Sequence, residues 1–305
     1  METGLKTGKV IVHVGLPKTA TTSLQVDFFP ELESKNVCYL GVRHPRNGTS
    51  QNSLFECFVE SLITGDVEII RAELFRLLSE GKVIILSEEM ITVSLNNLSW
   101  RTKLKNLSRI LDGMNYSLLL TVREPVSAMF SYYVEILSHK QKIGKRFIDV
   151  AKHDERMEIF HYGKLADELI SDFDKERVLV IKFEDLINGK LEGLAKNIAG
   201  VNNSFSSSKI SKLNDKKKSK DYVYTGERTT VADILDAFMT ITKLKDISLL
   251  KKYKGIYRSI YERIDNFVIT TGSVQKPSTE HFDELKKFLA NENEKFSQVF
   301  GVRYE

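Results

Sequence analysis

The sequence predicts an α/β fold, a parallel β-sheet flanked by helices with a helical C-terminal region, on three observations. Short apolar runs rich in β-branched and aliphatic residues recur near 9–15, 83–87, 116–122 and 177–183. Stretches with helical periodicity separate them, the alternation that a parallel sheet with crossover helices requires. Two of the runs stop abruptly at residues suited to gripping a ligand, Gly15 after the first and Arg123 after the third. The 305 residues are read as one domain over 1–305, with the core sheet over about 9–200 and a helical part over about 201–305.

The first element is the strand Val10 to Val14, ending at Gly15 and leading through Leu16-Pro17-Lys18-Thr19-Ala20 into a helix from about Thr21. A buried strand feeding a helix through such a turn directs free backbone N–H groups at one spot, where the helix dipole adds positive potential. Lys18 and the hydroxyls of Thr19, Thr21 and Thr22 are expected to add donors there, making a P-loop-like, phosphate-cradling turn. An NTP-binding loop of the form G-x-x-x-x-G-K-[ST] needs a second glycine and then a lysine before its last hydroxyl. Aligned on Gly15 and Thr22, this chain has Ala20 and Thr21 at those two places, and its lysine, Lys18, sits inside the loop. A lysine so placed addresses a short anionic group rather than the far end of a triphosphate. If the loop needs a positive φ at Ala20, strain follows from its methyl group.

Helices are expected next over 51–63 and 66–80, before the buried run Val83-Ile-Ile-Leu that ends in Ser87-Glu88-Glu89-Met90. The strand Tyr116–Val122 then leads into Arg123-Glu-Pro125, and a proline suits the first turn of the helix read over 125–138. Ser127 and Ser131 fall one turn apart on that helix. An arginine at a strand end with a hydroxyl on the following helix can hold a phosphate, because the guanidinium fork binds two oxygens. The last helix is read from Ser278 to Phe300, with Phe282, Leu285, Phe288 and Leu289 on one stripe.

Taken together, Pro17-Lys18-Thr19-Ala20-Thr21-Thr22 and Arg123, Pro125 and Ser131 resemble the sulfotransferase family that uses 3′-phosphoadenosine 5′-phosphosulfate (PAPS). The stretch Arg177 to Leu186 is similar to the family's later core strand and the acidic start of a helix. The resemblance implies that Pro17, Lys18, Thr19, Ala20, Thr21 and Thr22 hold the 5′-phosphosulfate and that Arg123 and Ser131 hold the 3′-phosphate. It further implies PAPS as donor, adenosine 3′,5′-bisphosphate (PAP) as product, and no metal. Ala20 departs from the family's glycine. A loop around Lys209–Lys220, with Asn214, Lys217 and Lys218, would close over the nucleotide in such an enzyme, while a solvated loop is the other reading of the same basic stretch.

Sulfuryl transfer to a hydroxyl needs a base, and Glu88 and Glu89 stand at a strand's carboxyl end, where ligands bind in open α/β sheets. The family's serine–x–glutamate pattern favours Glu89, and alternation along a strand lets only one of the pair point inward. The competing reading is that both cap the following helix. The expected reaction is an in-line displacement in which Lys18 stabilises the departing phosphate oxygen. Two rivals remain: a P-loop nucleotide kinase, which lacks its lysine at the position of Thr21, and a non-catalytic nucleotide-binding module.

The acceptor is expected to be a carbohydrate or glycolipid hydroxyl, lined by residues 41–60 and 132–162. Arg43, His44 and Arg46 suit a polar or anionic group, whereas Phe55, Phe58, Tyr132 and Tyr133 either stack on a sugar or fill core. His13 is read as a packed core histidine; His44, His139 and His153 are left unranked. A net charge of +4 is mild, and the basic stretch lacks interleaved aromatics, so no nucleic-acid partner is expected. Cys38 and Cys57 make neither a disulfide framework nor a metal spacing. No apolar run reaches the length of a membrane span and the N-terminus has no export signal, so a cytoplasmic setting is expected.

Overall fold

β1 (Lys9–His13) is the middle strand of a five-stranded parallel sheet, and its Val10, Ile11 and Val12 are fully buried. A strand covered on both faces reads as a continuous apolar run, which is what these residues supply. The neighbours are β2 (Val37–Gly41), β3 (Val83–Ser87), β4 (Tyr116–Val122) and β5 (Val178–Lys182), in the order β2-β3-β1-β4-β5. The structure, a computed structural model, describes residues 8–46, 49–95, 97–138, 146–188, 194–195, 198, 222–230 and 268–304.

β4 spans the predicted residues, and β3 does too. β1 ends two residues earlier than expected because Gly15 takes φ 95°, which leaves the extended region. β2 was not anticipated: it is five residues long, and two of the five are a cysteine and a glycine.

α1 (Thr21–Ser23) is one α-helical turn that widens to π geometry over Leu24–Phe28 and then tightens over Pro30–Leu32. α2 (Ser53–Thr64) begins at Asn52, whose side chain accepts from the Leu54 N–H, and stops at Gly65 with φ 77°. α3 (Glu68–Ser79), α4 (Trp100–Leu111), α5 (Pro125–Ser138), α6 (Phe147–His153), α7 (Tyr162–Asp172) and α8 (Phe183–Ile187) follow.

Ile11, Tyr39, Ile85 and Leu119 on one face of the sheet pack with Leu24, Phe28, Phe29 and Leu32 from the α1 segment. Side chains alternate along a strand, so His13, Ser87 and Thr121 share that face, one step closer to the carboxyl edge. α9 (Thr279–Phe300) buries Leu285, Leu289 and Phe296. Phe288, predicted on the same stripe, is 44% exposed and lies edge-on to His161.

The residues group into two compact units, Met1–Tyr132 with Arg146–Asn214 and Thr279–Glu305, and Tyr133–Lys145 with Asp215–Ser278. The second contains an antiparallel ribbon, β6 (Tyr222–Thr230) with β7 (Val268–Gln275). α9 supplies the helical C-terminal region expected of the fold, and the ribbon is a pair of strands within the stretch read as helical. Tyr222-Val-Tyr-Thr and Val268-Ile-Thr-Thr are β-branched and aromatic, and such residues favour strands.

Candidate functional site

The loop after β1 has the curvature of an anion cradle. Lys18 and Ala20 both have φ 67°, and no other residue of the loop between Leu16 and Thr21 has a positive φ. Left-handed residues alternating with right-handed ones turn successive N–H groups to one side, the geometry of an anion-binding nest. Ala20 is the N-cap of α1 and gives no side-chain hydrogen bond there. Thr21 and Thr22, as first-turn residues, have no acceptor for their N–H groups within the helix. The positive φ anticipated as the condition for strain at Ala20 is therefore the conformation found.

The loop hydroxyls behave differently from expectation. Thr19 Oγ1 donates to the Leu16 carbonyl at 2.6 Å, and Thr21 Oγ1 donates to the same carbonyl at 3.0 Å. Both threonines are buried and both hydroxyls brace the turn. Thr22 and Lys18 are half-buried.

Arg123 comes from the end of β4 to meet this loop. Its Nη1 donates to the Lys18 carbonyl at 3.4 Å, and its guanidinium lies 4.8 Å over the Phe183 ring. Its backbone is pinned by Tyr162, whose hydroxyl donates to the Arg123 carbonyl at 2.5 Å and receives the Arg123 N–H at 3.2 Å. Full burial pushes the Tyr162 hydroxyl well above the usual tyrosine range. Glu124 accepts from the Val126 and Ser127 N–H groups and so starts α5. Ser127 and Ser131 lie on the half-buried side of that helix, one turn apart.

The acidic pair after β3 divides its duties. Glu88 Oε1 accepts from the Arg46 guanidinium at 2.8 Å and from the Met90 N–H at 2.8 Å, while Oε2 accepts from Arg46 at 3.1 Å. Its side chain is 2% exposed, against 43% for Arg46. Glu89 borders Gly15: a Cβ placed on that glycine would lie 3.4 Å from the Glu89 Cα and Cβ. Glu88 thus caps its turn, as the competing reading held, and Glu89 stands against Gly15, the first residue of the loop after β1.

Lys103 is a residue the sequence reading passed over. It sits on the apolar face of α4 among Trp100, Leu104 and Leu107, and its Nζ donates to the Met90 and Val93 carbonyls. Burial lowers its pKa to about 8, opposed by the charge of Glu88. A lysine inside an amphipathic helix's apolar stripe was the available signal.

Phe55, Phe58, Tyr132 and Tyr133 are buried side chains rather than exposed stacking faces. Arg43 and His153 are exposed, and His44 donates from Nε2 to Gln25 Oε1 at 2.9 Å. His13 is fully buried, as read, with Ser87 Oγ 2.8 Å from Nδ1. His139 and the stretch with Asn214, Lys217 and Lys218 lie outside the described residues. Among the described residues no group of three or more His, Cys, Asp or Glu is placed to hold a metal ion, and no helix is long and apolar enough to cross a membrane.

No protein-family model matches the chain, and no curated protein matches it. Among solved structures, a sulfotransferase from Alicyclobacillus acidocaldarius aligns over 97% of this chain and 96% of its own, at 14% identity and a TM-score of 0.49. Retinol dehydratase in complex with androsterone and the inactive cofactor PAP aligns over 98% and 83%, at 13% identity and a TM-score of 0.34. The same enzyme with retinol and PAP gives 97% and 83%, 13% and 0.33. Likeness of this size leaves the chemistry to be argued from the site.

Proposed function

We propose that the chain is a PAPS-dependent sulfotransferase that moves a sulfuryl group to an acceptor hydroxyl on a carbohydrate or glycolipid. The observation that carries this reading is that the Arg123 guanidinium reaches the backbone of the loop that bears Lys18, at one edge of the sheet. Arg123, from β4, reaches the Lys18 carbonyl within a loop whose two left-handed residues shape an anion cradle. A donor with phosphate groups at both ends matches such a pair. Pro17 through Thr22 would take the phosphosulfate, and Arg123 with Ser131 the 3′-phosphate. A nucleotide kinase fits less well, since Thr21 stands where its lysine belongs and the Thr21 hydroxyl is spent on Leu16.

In the reaction, the acceptor oxygen attacks sulfur while the bond from sulfur to the phosphate oxygen breaks. Glu89, which borders Gly15 at the head of the loop after β1, receives the acceptor proton, while Glu88 is the carboxylate that caps its turn and pairs with Arg46. Lys18 and the N–H groups of Thr21 and Thr22 stabilise the charge that builds on the departing oxygen. Preorganised donors of this kind are worth roughly 3–4 kcal/mol each. A reducing, cytoplasmic setting suits the two free thiols, Cys38 and Cys57.

The test is transfer from 35S-labelled PAPS to a panel of glycans and glycolipids. Labelled product, with PAP released in equal amount, supports the reading. Phosphoryl transfer from ATP with magnesium, and none from PAPS, would replace it with the kinase.

A further inference from the structure

A buried hydrogen-bond chain crosses the carboxyl edge of the sheet from His44 to the phosphate loop. His44 Nε2 lies 2.9 Å from Gln25 Oε1, and Gln25 Nε2 lies 3.1 Å from Ser87 Oγ. Ser87 Oγ is 2.8 Å from His13 Nδ1, and His13 Nε2 is 3.4 Å from Thr121 Oγ1. Thr121 Oγ1 is 2.5 Å from Thr19 Oγ1, which is 2.6 Å from the Leu16 carbonyl. All of these groups except His44 are buried.

The bond directions follow from two carbonyls that can only accept, those of Ser87 and Leu16. Gln25 Nε2 also faces the Ser87 carbonyl at 3.3 Å, and a carbonyl oxygen only accepts, so the amide nitrogen must be on that side. The amide oxygen then faces His44, which must donate from Nε2. Ser87 Oγ receives the amide N–H, and the Tyr39 hydroxyl is a second acceptor within reach of its own proton, so the His13 tautomer is set from the far end of the chain. His13 is neutral, with burial lowering its pKa to about 3, and carries a single N–H. At the far end Thr19 donates to the Leu16 carbonyl. The short Thr121–Thr19 contact then takes the Thr121 proton, with the Gly15 carbonyl at 3.0 Å as its second acceptor, so His13 donates from Nε2 to Thr121 and its Nδ1 accepts from Ser87. Six side chains donate in the same sense, and bonds aligned in this way polarise one another.

We propose that Gln25, Ser87 and His13 are positioning residues that hold His44 as the Nε2–H tautomer, so that its Nδ1 accepts a hydrogen bond from a hydroxyl of a neutral, sugar-like acceptor. This rests on the sulfotransferase reading for the identity of the site, though the tautomer itself does not. The surroundings favour a neutral partner over an anion at this position. Arg46, the nearest cation acting on His44, is paired with Glu88, and an unprotonated ring nitrogen repels negative charge. Glu89 and Lys18 keep their places in the transfer; His44 orients the acceptor by a second hydroxyl.

The experiment uses the full chain with 15N-labelled histidine rings and long-range 1H–15N spectra at neutral pH. His13→Gln and His44→Phe variants assign the two rings. Both rings are expected to carry their proton on Nε2 alone, and an Nδ1–H on either would overturn the proposal. Gln25→Met should return His44 to a mixture of tautomers; a ring locked as before would count against Gln25. Methyl β-D-glucopyranoside added to the wild-type chain should shift the His44 Nδ1 resonance, and inorganic phosphate should not. The opposite pattern, or no shift with the glucoside, contradicts the proposal without needing any variant to fold. PAP binding is scored separately: its absence removes the functional reading and leaves the tautomer result standing.

Discussion

Replacing Ala20 with glycine should stabilise the fold, although glycine for alanine ordinarily does the reverse. Ala20 is held at φ 67° and ψ 22°, the left-handed region. For a residue with a Cβ that conformation costs roughly 1–2 kcal/mol. The glycine chain loses about 0.4–1 kcal/mol more entropy on folding, which offsets part of the relief. The net gain is roughly 0.5–1 kcal/mol, or about 1–3 °C in the melting midpoint for a chain of this size. Ala290, exposed within α9, is the control: the same change there should destabilise by about 0.5–1 kcal/mol. Thermal and urea unfolding of the two variants against wild type would read both signs. If Ala20→Gly destabilised the chain as Ala290→Gly does, the left-handed conformation at position 20, and with it the nest geometry of the loop, would be refuted.

Lys18→Ala should reduce sulfuryl transfer on the order of a hundred- to a thousandfold by loss of a preorganised donor. Steady-state kinetics with PAP affinity measured in parallel would show it. Arg123→Ala should instead act mainly on donor binding, because the 3′-phosphate does not react; equal effects of both changes on affinity alone would count against the assigned roles. For pH dependence, His13 has a folded pKa of about 3 against an ordinary 6.5, so the unfolded chain takes up the proton first. The stability this group contributes is complete above pH 6.5 and falls by about 1.4 kcal/mol per unit as pH drops toward 3. Urea titrations of wild type and His13→Gln should differ by that slope, and parallel curves would contradict a neutral, buried ring.

The parts of the fold that could be read from the sequence were those with a period or a break in it. Tyr116–Val122 is an unbroken apolar run closed by Arg123, and the strand occupies those residues. Val83–Ser87 behaved likewise, and the helix over 125–138 started at its proline. β2 escaped because five residues that include Cys38 and Gly41 give too little pattern to separate a strand from a turn. The ribbon of β6 and β7 escaped because 37 intervening residues separate its strands, a pairing that no local signal announces.

At the site, residue types were legible and orientations were not. Lys18 and Arg123 were singled out from their motifs, and the Arg123 guanidinium reaches the Lys18 carbonyl. Thr19 and Thr21 carry the same hydroxyl whether they face a ligand or the Leu16 carbonyl, and only the turn's backbone decides between the two. Glu88 and Glu89 likewise differ in position alone; the chain's exit from β3 sends the first to Arg46 and the second toward Gly15. The chain from His44 to Leu16 joins residues up to 108 positions apart, so its polarity is a property of the assembled sheet edge.

The most direct measurement is a calorimetric titration with adenosine 3′,5′-bisphosphate in the presence of a chelator. Saturable binding is expected, weakened by Arg123→Ala, and at about 100 times the dissociation constant the ligand should add about 2.7 kcal/mol of stability. No heat with the bisphosphate, or binding seen only with ADP and magnesium, would contradict the account.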